Sequence, residues 1–152
     1  MDRQEARMTV ASGGLERGGV SLGRLALVGA VAVAVAVVVN VLIRTVAVSV
    51  LGIGEGFLPL GVGPTVVFTV AGMVGAVVVF GLILRFAQRR PVWLFRRVAL
   101  VVLWISLVPD VLLLLSGSVP GATVASVGTL MVEHVASWAV AVGVLTTLVR
   151  EG

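Results

Sequence analysis

Residues 25–43 read L-A-L-V-G-A-V-A-V-A-V-A-V-V-V-N-V-L-I, an apolar stretch without a charge. A helix of about 20 such residues, rising 1.5 Å each, crosses the roughly 30 Å hydrocarbon core of a bilayer. From Val31 to Val39 the sequence alternates Val and Ala, which on its face looks like a strand. Both residue types are apolar, so the alternation provides no polar lumen face. A few long runs also cannot supply the many short strands of an outer-membrane barrel. A cleaved signal peptide fits no better: the run exceeds the usual apolar region, and Arg44 follows without a clean small-residue cleavage site. The stretch is expected to be a retained signal anchor, continuing past Arg44 to about Leu51.

Three similar runs follow. Pro64–Leu84 is closed by Arg85, Val98–Val119 is interrupted by Asp110, and Ala122–Val149 holds Glu133 and His134. Together they predict an all-α, four-helix transmembrane bundle over residues 25–150, with spans of about 25–50, 64–86, 97–118 and 122–149. Residues 1–24 are polar and Gly-rich, with Arg3, Arg7, Arg17 and Arg24 set against Asp2, Glu5 and Glu16. No apolar face recurs there, so a disordered cytoplasmic tail is expected.

Composition agrees with this reading. Of 152 residues, 59% are hydrophobic and 12% charged, where a soluble domain has about 45–50% and about 25%; the mean hydropathy is +1.21. This excludes a soluble globular enzyme. The absence of cysteine excludes a disulfide scaffold and a thiolate metal site. Eleven basic residues, all arginine, against seven acids raise the pI to about 11.6. In a soluble domain that balance would suggest nucleic acid. Here the arginines flank apolar runs, so they report orientation, and no nucleic-acid partner is expected. Four lie in the N-terminal tail, five between Arg85 and Arg97, and Arg150 lies at the C-terminus. The positive-inside rule therefore predicts both termini and the middle connection in the cytoplasm.

That middle connection, R-F-A-Q-R-R-P-V-W-L-F-R-R, contains Pro91, which suits the first turn of a helix. Trp93 and Phe95 suit the headgroup boundary. Arg85, Arg89, Arg90, Arg96 and Arg97 could each gain about 1 kcal/mol beside anionic lipid. The segment is either a lipid-headgroup or partner-docking patch, or an ordinary orientation signal with an interfacial anchor. The connection from Gly52 to Gly63, G-I-G-E-G-F-L-P-L-G-V-G, is apolar yet broken by Gly and Pro. It is expected to lie at the interface, with Phe57 and Leu58 dipping into lipid and Glu55 facing water; the alternative is a re-entrant gate.

A charge at the centre of a membrane helix costs roughly 2.5–3.5 kcal/mol, so Asp110, Glu133 and Arg44 ask for a reason. If the third and fourth helices turn at Pro120–Gly121, Asp110 stands level with Glu133 and His134, near the middle of the spans. Ser106 and Ser137, one turn from Asp110 and Glu133, would continue a polar seam. Ala32, Ala36, Asn40 and Arg44 recur every four residues and form one stripe, with Arg44 as the expected counter-charge. Small residues let helices approach closely, a role also expected of Ala71, Gly72 and Gly75. Pro109 frees the carbonyl of Ile105, one turn from Asp110. The candidate intramembrane site is thus Asn40, Arg44, Ser106, Asp110, Glu133, His134 and Ser137. It binds a proton, a cation or a small polar ligand, or else serves as interhelical glue at about 0.6 kcal/mol per hydrogen bond. One histidine cannot supply a bis-imidazole haem site, and no HExxH, GxSxG or P-loop pattern is present. No catalytic residue, metal or cofactor is expected.

Four features resemble a family of small four-helix bacterial membrane proteins of unknown function, the domain of unknown function numbered 6069. They are Asn40 late in the first helix, F-L-P-L-G from Phe57 to Gly61, S-L-V-P-D from Ser106 to Asp110, and the histidine of M-V-E-H in the fourth helix. The resemblance covers roughly residues 22–150. It implies the four-helix architecture and a bacterial cytoplasmic (inner) membrane, and adds no reaction. The expected function is a non-enzymatic structural or accessory membrane protein, in contact with the bilayer and with a second copy or a larger membrane complex. One alternative is a small proton- or cation-coupled transporter, although small multidrug exporters of this size carry a glutamate where this chain has Asn40. The other is a membrane enzyme or quinone-linked redox subunit.

Overall fold

The backbone of a lipid-embedded segment must satisfy its own hydrogen bonds, so helix wins here even where valine, a mediocre helix former in water, dominates. The computed structural model describes residues 20–53, 56–87 and 89–147. It contains four long helices: α1 (Leu22–Leu51), α2 (Val62–Phe86), α3 (Pro91–Ser116) and α4 (Val124–Leu145), with a 3-10 turn at Leu58–Leu60 between α1 and α2. All four helices are long and apolar enough to cross a membrane. Residues 1–19 of the expected tail lie outside the described residues. Ser21 already caps α1 by accepting the Arg24 N–H at 3.2 Å.

The helix ends follow local chemistry. α1 stops at Gly52 and α3 at Gly117, both left-handed (φ 60° and 59°). Pro91 opens α3, where its missing N–H is not needed, so Arg96 and Arg97 belong to that helix. Thr123 and Ser126 cap α4 reciprocally, each side chain accepting the other's backbone N–H, at 3.1 and 2.8 Å.

α1 packs along both α2 and α4, α3 packs along α4, and α2 touches α3 only lightly. The connections α1–α2 and α3–α4 lie at one end of the bundle, called distal below. The α2–α3 connection lies at the other, the arginine end. Two apolar clusters close the interior. One joins Ala32, Ala36, Met73, Phe80, Phe95, Ala141 and Leu145 towards the arginine end. The other joins Phe57, Leu60, Val127 and Leu130 at the distal end. The outward faces, such as Leu27, Val38, Phe68, Val101 and Trp104, stay exposed and apolar, as lipid requires.

Three expectations are corrected. Ala71, Gly72 and Gly75 face outward, and nothing stands within 4 Å of a Cβ built on either glycine. α2 instead buries Thr65, Thr69, Met73 and Phe80. The close approach between α1 and α2 is made by Gly29, where a Cβ would meet Val77 Cγ1 at 2.9 Å. Phe95 leaves the interface to stack on Phe80, with ring centroids 4.7 Å apart. Phe57 does not enter lipid: it is 2% exposed and packs under the α3–α4 turn, so close to Gly121 (φ +76°) that a Cβ there would stand 3.1 Å from the Phe57 nitrogen. Leu58 remains 77% exposed, and Glu55 lies outside the described residues.

Candidate functional site

Between the two apolar clusters the helices bury a column of polar side chains. The stripe on α1 turns its small residues and Asn40 inward, so the carboxamide meets both neighbouring helices. Its Nδ2 donates to Thr69 Oγ1 on α2 at 2.9 Å and to Ser137 Oγ on α4 at 2.8 Å. One side chain thereby ties three helices. These helices run antiparallel to α1, so four residues further towards the distal end Arg44, Thr65 and Glu133 stand level with one another. Arg44 is half-buried, and its Nε donates to the Leu60 carbonyl in the 3-10 turn. Arg44 and Asp110 are the charged groups near enough to act on Glu133.

On the other side of α4, Asp110 of α3 meets His134. Asp110 Oδ2 lies 3.5 Å from His134 Nδ1, while the same nitrogen stands 2.8 Å from the Leu130 carbonyl. The ring proton on Nδ1 is directed to that carbonyl, which explains why Asp110 Oδ2 is within ion-pairing range yet accepts no hydrogen bond. α3 begins at Pro91, so its centre falls near Leu103 and Asp110 lies about 10 Å beyond it towards the distal end. Asp110 is thus further from mid-span than a helix over 97–118 would place it. Pro109 sits inside the helix, one residue before it.

Six of the seven predicted intramembrane residues gather here: Asn40, Arg44, Asp110, Glu133 and Ser137, with His134 at the edge of the column, its side chain 37% exposed. Ser106 does not join: its hydroxyl donates to the Leu103 carbonyl of its own helix at 2.7 Å. Sequence reasoning missed Thr65 and Thr69. Their spacing of four, continued by Met73, marks one face of α2 and is the signal that would have found them.

The column is incompletely satisfied. Asn40 Oδ1, Thr65 Oγ1, Asp110 Oδ2 and Glu133 Oε1 are buried without a hydrogen-bond partner, although Asn40 and Glu133 are only 2% and 5% exposed. A buried polar group without a partner costs free energy, more so if charged. These oxygens can accept a hydrogen bond from water or a protonated carrier, or can ligate a small cation. Among the described residues no group of three or more His, Asp or Glu converges as a metal site would require.

At the arginine end, Arg85, Arg89, Arg90, Trp93, Arg96 and Arg97 are all exposed. The Arg97 guanidinium lies 4.7 Å from the Trp93 ring centre, and that of Arg85 lies 5.8 Å from Phe86.

A four-helix transmembrane bundle with a buried polar column defines a class of small integral membrane proteins. Within it, residues 20–151 match the family model described as "Family of unknown function (DUF6069)", and the chain belongs to that family. No curated protein and no solved structure matches it.

Proposed function

We propose that this protein is a non-enzymatic structural or accessory component of a bacterial cytoplasmic membrane. Both termini face the cytoplasm, and it works as a homodimer or within a larger membrane complex. The observation that carries this reading is the Asn40 carboxamide, which spends both its donors on holding α1, α2 and α4 together. Interhelical hydrogen bonds of this kind contribute about 0.6 kcal/mol each in a bilayer, enough to select one packing among apolar alternatives. The arginines flanking the second connection support the orientation.

The unpaired oxygens of Asp110 and Glu133 favour a second reading, a small proton- or cation-coupled transporter. Both readings meet in one experiment. Purified protein is reconstituted into proteoliposomes under a pH gradient or a Na⁺ or K⁺ gradient, and flux is compared between the wild type and Asp110→Asn. The structural reading expects no flux above empty vesicles, with Asp110→Asn and His134→Ala lowering stability or assembly together. Flux abolished by Asp110→Asn overturns it in favour of the transporter.

A further inference from the structure

α2 touches α3 far more lightly than α1 touches either α2 or α4, and at the arginine end the seam opens into a groove of about 460 Å³. Its walls are Val79, Leu82, Ile83 and Phe86 from α2 and Leu94 and Val98 from α3. Ala87 lines its end, and the chain crosses from there to Arg90. Apolar walls alone would accept any hydrocarbon, but the charge at the mouth discriminates. The Arg85 guanidinium lies over the ring of Phe86, itself part of the wall. Arg89 and Arg90 are exposed in the crossing segment, and Arg90 heads the row Leu94–Val98 on α3. Among the described residues no side chain caps the α3 N-terminus, so its first N–H groups add partial positive charge at the same place. Among the described residues, both carboxylates, Asp110 and Glu133, stand in the distal half of the bundle or at its middle.

We propose that the α2–α3 groove is a binding site for one anionic phospholipid, with an acyl chain along the aliphatic walls and the phosphate met by Arg85, Arg89 and Arg90. The site turns a loosely packed seam into a closed one and makes the lipid an integral part of the bundle. It depends on the chain spanning a bilayer and is independent of the structural or transport reading of the polar column.

The test uses the full chain, purified in mild detergent and stripped of lipid. It is titrated separately with phosphatidylglycerol, with phosphatidylethanolamine of the same acyl chains, and with inorganic phosphate. Retained lipid is counted by native mass spectrometry, and Tm is followed in parallel. One phosphatidylglycerol per chain is expected to be retained at least tenfold more tightly than phosphatidylethanolamine, raising Tm, while inorganic phosphate leaves Tm unchanged. The double variant Arg89→Gln/Arg90→Gln is expected to weaken retention about 30-fold, or about fivefold per arginine. Leu82→Trp, which fills the groove and keeps every arginine, is expected to lower it as well. Equal retention of the two lipids overturns headgroup recognition, and protection by inorganic phosphate equal to that by phosphatidylglycerol overturns the acyl-chain site. Should the arginine variant fail to assemble, the wild-type comparison decides by itself.

Discussion

The two halves of this bundle are built from the same four helices and held by different means. Towards the arginine end the contacts are of shape: Gly29 against Val77, Gly81 against Leu25, and Phe80 tilted onto Phe95. Towards the distal end they are of polarity: Asn40 with Thr69 and Ser137, Asp110 beside His134, Arg44 on the Leu60 carbonyl. In lipid, burying one apolar side chain against another gains nothing from leaving water, so helices associate through close packing or interhelical hydrogen bonds. This chain relies on close packing towards the arginine end, and in the distal half it adds interhelical hydrogen bonds to the packing of Phe57 against Gly121. The packed half is left open at the α2–α3 groove, whereas the polar half leaves four buried oxygens without partners. A guest that carries protons would find its place in the polar half.

This division can be broken or sharpened by substitution, with unfolding in mixed micelles as the measurement. The largest cost is expected from Phe80→Ala, which removes a fully buried ring and its partner contact; about 3 kcal/mol is expected, the low end for such truncations, because lipid stands in for water as the reference. Gly29→Ala follows at about 1–2 kcal/mol, since its Cβ would meet a β-branched side chain that has little freedom to move. Asn40→Ala removes two interhelical bonds and is expected to cost about 1 kcal/mol. A larger loss there than at Phe80 would invert the comparison. Ser106→Ala is expected to stay within about 0.5 kcal/mol, because that hydroxyl bonds only its own helix. A clear loss would show that Ser106 belongs to the column after all.

Much of the fold was legible because lipid imposes length: each run near twenty apolar residues becomes a helix, and Gly52 and Pro91 mark ends by backbone chemistry, whereas the stop of α3 at Gly117 was not read. The α1 stripe was legible too, since Asn40 is the polar residue of the apolar run 25–43 and must turn away from lipid. The buried face of α2 was not. Ala71, Gly72 and Gly75 permit close approach without demanding it, and on a helix bathed in hydrocarbon an outward small residue costs little. Thr69 decides the face instead, because its hydroxyl accepts from Asn40 in the interior, and Thr65, one turn away, is buried with it although its hydroxyl has no partner. Phe57 was misjudged for a related reason: an aromatic in a Gly-rich connection fits an interface equally well, and only the tight approach of Gly121 gives it a seat inside. Ser106 followed the default of a mid-helix serine without an interhelical partner, donating back along its own helix.

The polar column as a contact between helices, shielded from lipid, is the claim on which the rest depends. The chain has no cysteine of its own, so paired cysteines report proximity cleanly. The most direct measurement is oxidative cross-linking in intact membranes of Asn40→Cys/Ser137→Cys, with Asn40→Cys/Trp104→Cys as its counterpart. Asn40 reaches Ser137 directly, whereas Trp104 is 66% exposed on the outward face of α3. Rapid cross-linking of the first pair within one chain, with none in the second, is the expected result. Cross-linking of the second pair with none of the first would place Asn40 on the wrong face of its helix and contradict the account.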